Sequence, residues 1–373
     1  MNGIQEVSGS IPLISTRKTR FGNKTSFLLY MAQERLHGMD ANLWRNVSAE
    51  YRKLRNGMKR YLTAILLCCL LLTGCGGDEV QRLDSADIED TVTFTDDLGR
   101  TVCVARPQRV AAMIGSFADI WCLAGGHKTL AAAANDAWTS FALDLGEEVV
   151  NLGAIKEPNV ERLFESDPDL ILASSNTAAD VELLDTFEQA GIPVAYFKVA
   201  SFPEYLNMLE ICTRLTGQAE RFMQYGRAVE EQVEAARAQA DGSCPRVLYV
   251  RATGSSCKVK NSRDSVLGEM LSDLECVNIA DSENSLLEEL SLETILMQDP
   301  DYIFMVLQGA DSTAAEQVLQ QTLLSNPAWQ TLTAVKEGRC YMMDDHLYNL
   351  KPNARWGEAY EKLANILYPD SGA

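Results

Sequence analysis

Two stretches of this chain are built to one plan. Residues 161–172 read ERLFESDPDLIL and residues 293–304 read ETILMQDPDYIF. In each, a glutamate is followed six residues later by Asp-Pro-Asp and then by an apolar run. The residue two before the glutamate, Asn159 or Ser291, is of a helix-capping type. Proline disfavours helix in the residue before it. Each copy therefore predicts a short helix, over 161–166 or 292–298, that stops at Asp-Pro-Asp and launches a strand. A carboxylate in the first turn also suits the helix dipole, by about 0.3–1 kcal/mol. A repeated helix–strand unit at this separation constrains the body to two related halves.

The surrounding pattern agrees. VTFTDDLGRTVCV reads as a hairpin. RVAAMIG, TLAAAAND and PVAYFKV read as buried strands before the middle of the chain, and RVLYVRA and RCYMMDD after it. Helical segments lie between them, among them SFADIWCLAGG with Ser116 as its cap and Gly125 as its stop. Such alternation predicts α/β layers around largely parallel sheets. Residues 202–240 have little strand character, and GQAERFMQYGRAVEEQVEAARAQA presents an apolar face at Phe222, Tyr225, Val229 and Val233. Some 23 helical residues would reach roughly 35 Å, enough to cross between domains. The expected fold is two Rossmann-like α/β lobes, 92–201 and 241–373, joined by a single long backbone helix in 202–240, with a ligand cleft between the lobes.

Residues 58–75 read MKRYLTAILLCCLLLTGC. Two cations, an apolar core too short to span a bilayer comfortably and small residues have the layout of a secretory signal peptide over 58–74. The ending LTGC resembles the bacterial lipobox, which implies cleavage before Cys75 and lipidation of that residue. Several acyl chains on one residue give stable anchoring. Residues 75–91 read as a flexible tether. Residues 1–57 precede the signal and are expected to be a non-native start or a disordered extension.

Charge is uneven. Residues 1–60 hold eleven Lys/Arg and four Asp/Glu; the rest holds 22 basic and 48 acidic residues. So acidic a body repels phosphate backbones, and no nucleic-acid partner is expected. Beyond Cys75 there are seven cysteines without CxxC or metal-ligand spacing, most of them expected as small core residues. Only His127 and His346 lie in the exported body, so a three-histidine metal site is impossible.

TDDLGRTVCVARPQRVAAMIGSFADIWCLAGG, PNVERLFESDPDLILAS, SLETILMQDPDYIFMV and KPNARWGEAYEKLANILYP are together similar to one family, over roughly residues 92–369. It is the substrate-binding proteins of ABC importers for iron–siderophore, haem and cobalamin. The resemblance implies two lobes on a rigid helix and a ligand held between them. It also implies one surface glutamate per lobe, here Glu161 and Glu293, pairing with arginines of a two-subunit permease that works with its ATPase subunits. The ligand is a transported metal chelate, no cofactor is implied, and a monomer anchored to the extracytoplasmic membrane face is expected.

Loops after strand ends should line the cleft. They supply Ser116, Phe117, Asn135, Asp136 and Trp138 from the first lobe, and Lys258, Lys260, Arg263, His346, Tyr348 and Arg355 from the second. Aromatics can stack on a macrocycle, and Lys or Arg can pair with propionates or an anionic ferric siderophore. For a haem ligand, His346 or Tyr348 could serve the iron. Taken singly, each residue could equally be a packing or surface residue. The competing readings are an enzyme of chelatase-like or redox type on the same scaffold, and a non-transport surface lipoprotein. No GxSxG, HExxH, P-loop or dinucleotide fingerprint supports catalysis.

Overall fold

The computed structural model describes residues 91–263, 265–309 and 312–369. The chain divides into two compact units, Met1–Arg82 and Leu83–Ala373, and every described residue belongs to the second. The expectations for 1–57, the signal peptide, Cys75 and the tether up to residue 90 lie outside the described residues.

The hairpin forms as read, with β1 (Thr91–Thr95) antiparallel to β2 (Thr101–Ala105). Its turn is fastened to the first lobe: Asp97 N donates to Tyr196 O, and Lys198 N donates to Asp97 Oδ2. That lobe is built on β3 (Val110–Ala112), β4 (Leu130–Ala133), β5 (Val150–Asn151), β8 (Leu170–Ser174) and β9 (Val194–Phe197). They form one parallel sheet in the order β5-β4-β3-β8-β9. The short strands β6 (Gly153–Ala154) and β7 (Glu157–Pro158) pair beside it. The second lobe holds β10 (Arg246–Ala252), β11 (Cys257–Lys260), β12 (Val277–Asn278), β13 (Tyr302–Leu307) and β14 (Cys340–Met343). Its order is β11-β10-β13-β14, with β12 on β10, and only β11 runs antiparallel. Continuous apolar runs such as LILAS are fully buried, as parallel strands covered on both faces require.

Alternation along these strands divides the core. The outer faces hold Ile171 and Phe187 in one lobe and Leu248 and Ile303 in the other. The repeated helices seal those faces with equivalent residues, Leu163 and Ile295, both fully buried. The inner faces share one cluster that runs from Val110 and Phe197 through Phe202, Tyr205, Trp356 and Tyr360 to Tyr249 and Phe304. A core continuous across both lobes resists large hinge motion, because packed interiors deform little.

The 202–240 segment differs from one uninterrupted rod. A helix Phe202–Thr216 belongs to the first lobe and ends at Gly217, whose φ of 71° is the left-handed cap that glycine favours. The bridging helix then runs over 219–237, with a π turn at Met223–Arg227, and reaches about 28 Å. Its start is tied to the first lobe, where Arg221 Nη1 donates to Leu123 O. Its end packs on the closing helix Trp356–Leu367, where Gly357 leaves room for Gln232. A single helix therefore does cross, shorter than the sequence suggests.

Candidate functional site

The Asp-Pro-Asp repeat performs the same mechanical task twice. Asp167 and Asp299 take left-handed backbone, with φ of 47° and 39°, and turn the chain out of the helix. The second aspartate then receives the start of a neighbouring strand. Asp169 accepts from the backbone N–H groups of Gln108 and Arg109, and Asp301 Oδ2 accepts from Arg246 N at 2.8 Å. The backbone answers in kind: Asp169 N donates to Arg109 O and Asp301 N to Arg246 O.

Upstream, Asn159 Oδ1 caps Arg162 N at 2.9 Å and Ser291 Oγ caps Thr294 N at 3.2 Å. Glu161 and Glu293 therefore sit at the second position of their helices, Val160–Glu165 and Leu292–Gln298. Both are exposed, and neither has an ion-pair partner among the described residues. A crossover helix runs antiparallel to the strand it feeds, so both carboxylates stand at the carboxyl ends of their sheets.

The cleft opens at those same ends. Two adjoining cavities, about 400 and 260 Å³, share Ser140 and His346. The larger takes Thr139 from the first lobe and Gln308, Gly309, Asp345 and Asn349 from the loops after β13 and β14. The smaller places Asp119, Leu123 and Phe141 of the first lobe against Lys351, Pro352 and Arg355 of the second. Arg251 extends the cationic wall, reaching Asn349 Oδ1 at 3.4 Å. Lys258 stands opposite Arg251 in the β10–β11 ladder and shares its face.

Electrostatics follow from burial. Desolvation pushes the Lys351 ammonium below its ordinary pKa, opposed by the nearby Asp136 and Glu204 carboxylates. Burial also raises Asp119 and Asp136, against hydrogen bonds from Asn353 and Gly115 N respectively. Arg355 is held firmly charged by its two bonds to Glu358, at 2.7 and 3.0 Å. Asn353 closes the back of the site. It is fully buried, and its Nδ2 donates across the lobes to Ser116 O (3.0 Å) and Asp119 Oδ2 (2.8 Å).

Several expected contacts are placed elsewhere. Phe117 is fully buried and meets Phe197 edge-on, and Ser116 beside it is 3% exposed. Both lie in the first turn of the helix Gly115–Leu123, and neither lines the two cavities. Ser116 is not the cap either: Asp136 Oδ1 accepts from Gly115 N at 2.8 Å, so that carboxylate holds a helix end. Asn135 Oδ1 is engaged by Asn151 Nδ2, and Trp138 packs half-buried against the core. Tyr348 is 3% exposed, and its phenol donates to Ala359 O, which removes it from the iron-ligand pair. Lys260 shares the Arg251–Lys258 face one pair further from the cleft, and Arg263 is exposed in the loop before the helix Val266–Asp273. Of the expected set, His346 and Arg355 line the cavities directly. Sequence reading missed Lys351, Asp119, Phe141, Gln308 and Asn349. Asp119 and Leu123, four residues apart on one helix face, were the legible signal.

Comparison with known proteins gives this geometry its family. The sequence profile described as Periplasmic binding protein matches residues 110–347. The chain belongs to the periplasmic binding protein family. Among its relatives, the Fe(3+)-citrate-binding protein YfmC of Bacillus subtilis is 23% identical over 303 residues, covering 79% of this chain and 91% of the relative. The ferric-anguibactin-binding protein FatB of Vibrio anguillarum is 24% identical over 300 residues, covering 75% and 89%. The fold is shared with the solved catecholate-siderophore-binding protein VctP of Vibrio cholerae. That match has a TM-score of 0.59 at 17% identity, over 75% of this chain and all of that one. Among the described residues no helix is long and apolar enough to cross a membrane, and no group of three His, Cys, Asp or Glu could hold a metal ion.

Proposed function

We propose that this chain is an extracytoplasmic binding protein, anchored through Cys75, that captures an anionic ferric chelate and delivers it to an ABC importer without chemistry of its own. The cleft carries the reading. A strongly acidic body gathers Lys351, Arg355 and Arg251 around a space between its lobes, with half-exposed His346 at its centre. Cations held in a partly desolvated groove favour carboxylate, hydroxycarboxylate or catecholate oxygens. The volumes suit a compact chelate. A porphyrin or corrin face would want stacking walls, and Phe141 is the one benzenoid ring among the lining residues. Glu161 and Glu293, one per lobe beside the cleft mouth, would register the protein on two permease subunits.

The test is a titration of residues 76–373 with ferric citrate, a ferric catecholate, haem and cobalamin, followed by tryptophan fluorescence and absorbance. Saturable quenching by an anionic ferric chelate is expected, weakened ~10–100-fold by Lys351→Ala. A preference for cobalamin, or a shifted haem band that depends on His346, would replace the ligand assignment. Binding untouched by Lys351→Ala would remove its basis.

A further inference from the structure

The residues leading into β10 and β12 bring two thiols together. The strands are parallel, with Arg246 opposite Val277, and Val277 N donates to Pro245 O at 2.9 Å. Cys276 immediately precedes Val277, and Cys244 immediately precedes Pro245. The two cysteines therefore stand about one residue out of register on neighbouring chains. Strand spacing and rise put such Cα atoms about 6 Å apart, where disulfide-linked pairs are commonest.

A regular strand would turn side chains one residue out of register to opposite faces, but the left-handed backbone of Cys244 breaks that alternation. The Cys276 thiol is pushed up to about 12, first by burial and then by Cys244. Burial raises the nearby Tyr368 phenol, with Cys276 and, more weakly, Cys244 adding to the shift, and its hydroxyl donates to Leu274 O. Cys244 has left-handed backbone, φ 50°, in the turn that opens the second lobe. Both residues are free thiols here, Cys244 exposed and Cys276 half-buried, so an oxidant has access from the Cys244 side. Among the described residues no other two cysteines flank paired strands in this way. Burial raises the thiols of Cys122, Cys212, Cys257 and Cys340, and Cys103 accepts a hydrogen bond from Thr93 on the hairpin.

We propose that Cys244 and Cys276 form a disulfide in the exported protein, tying the entry of the second lobe to its edge strand. The proposal rests on the extracytoplasmic placement argued above. The oxidant is a protein or small-molecule disulfide of the thiol-exchange class. The Cys244 thiolate attacks one of its sulfurs to give a mixed disulfide, and Cys276 then attacks the Cys244 sulfur. One S–S bond forms and one breaks. The oxidant takes two electrons and two protons and its two sulfurs leave as thiols. The closed loop holds β10, β11 and the helix Val266–Asp273, so it fixes where the bridging helix enters this lobe.

The full chain, expressed with its own leader, is recovered from the cell envelope with thiols alkylated before lysis, then digested and weighed. A second sample is reduced, purified and equilibrated in a glutathione buffer. The expected result in both is a peptide containing Cys244 linked to one containing Cys276, separated by reductant. Reductant should also lower the melting temperature of the wild type by several degrees and leave that of Cys244→Ala unmoved. Alkylated Cys244 and Cys276 in both samples would overturn the pairing itself. Linkage in the glutathione sample alone would overturn the exported disulfide through its compartment, leaving the geometry standing.

Discussion

Replacing Asn353 separates two costs that the fold imposes at one position. Its amide donates to Ser116 O and to the Asp119 carboxylate, and its own φ is 52°. A hydrogen bond to a charged group contributes about 1.5–3 kcal/mol and a neutral one about 1 kcal/mol. Its buried Oδ1 lacks a partner, so removing that atom offsets at most about 1 kcal/mol. Asn353→Gly keeps the backbone and should cost about 2–3 kcal/mol. Asn353→Ala adds a left-handed alanine, about 1–2 kcal/mol more. Urea unfolding of residues 76–373, with the slope checked for constancy, measures both.

The pH dependence is a second, independent reading of the same bond. Burial raises the Asp119 carboxyl pKa, and Asn353 pulls it back. A carboxyl raised in the fold contributes stability that is present below its unfolded value, near 3.9, and lost as pH rises through the folded value. Without the amide the folded value climbs further. The deficit of Asn353→Gly should therefore be greatest at neutral pH and shrink as Asp119 protonates. A glycine variant within ~0.5 kcal/mol of wild type, or a deficit that stays flat as pH falls from neutral toward the unfolded carboxyl value near 3.9, would refute the account.

Charge reversal at both Glu161 and Glu293 should leave ligand affinity intact and reduce stimulation of the partner ATPase ~tenfold or more, because like charges would meet at the docking rim; ATP hydrolysis in reconstituted vesicles measures it, and full stimulation would remove the docking role. Asp180 is fully buried, its Oδ2 accepts from Ser174 N, its Oδ1 has no partner, and burial raises its pKa to about 7. Its stabilising protonated form is lost as pH rises through about 7. Asp180→Asn should therefore gain on wild type between pH 5 and 8 by on the order of 2 kcal/mol, and parallel stability profiles in urea would contradict that.

What the sequence determined by itself was set by local chemistry. Asn159 and Ser291 cap, Asp-Pro-Asp stops, and continuous apolar runs bury on both faces; these effects act within a few residues, so the repeated unit, the hairpin and the two α/β lobes were legible. The exposure of Glu161 and Glu293 was legible for the same reason. The bridging helix was read a few residues too long: Gly217 is the cap of the preceding helix, and the far end stops at Arg237 rather than continuing through Ala240. The cleft was decided by tertiary structure alone. Whether Ser116 or Asp119 lines the cleft depends on how one helix packs, and whether Tyr348 or Lys351 does depends on how the closing helix lies across both lobes. The bond that joins the lobes there links residues more than two hundred positions apart, Asn353 and Ser116, and no local preference encodes it.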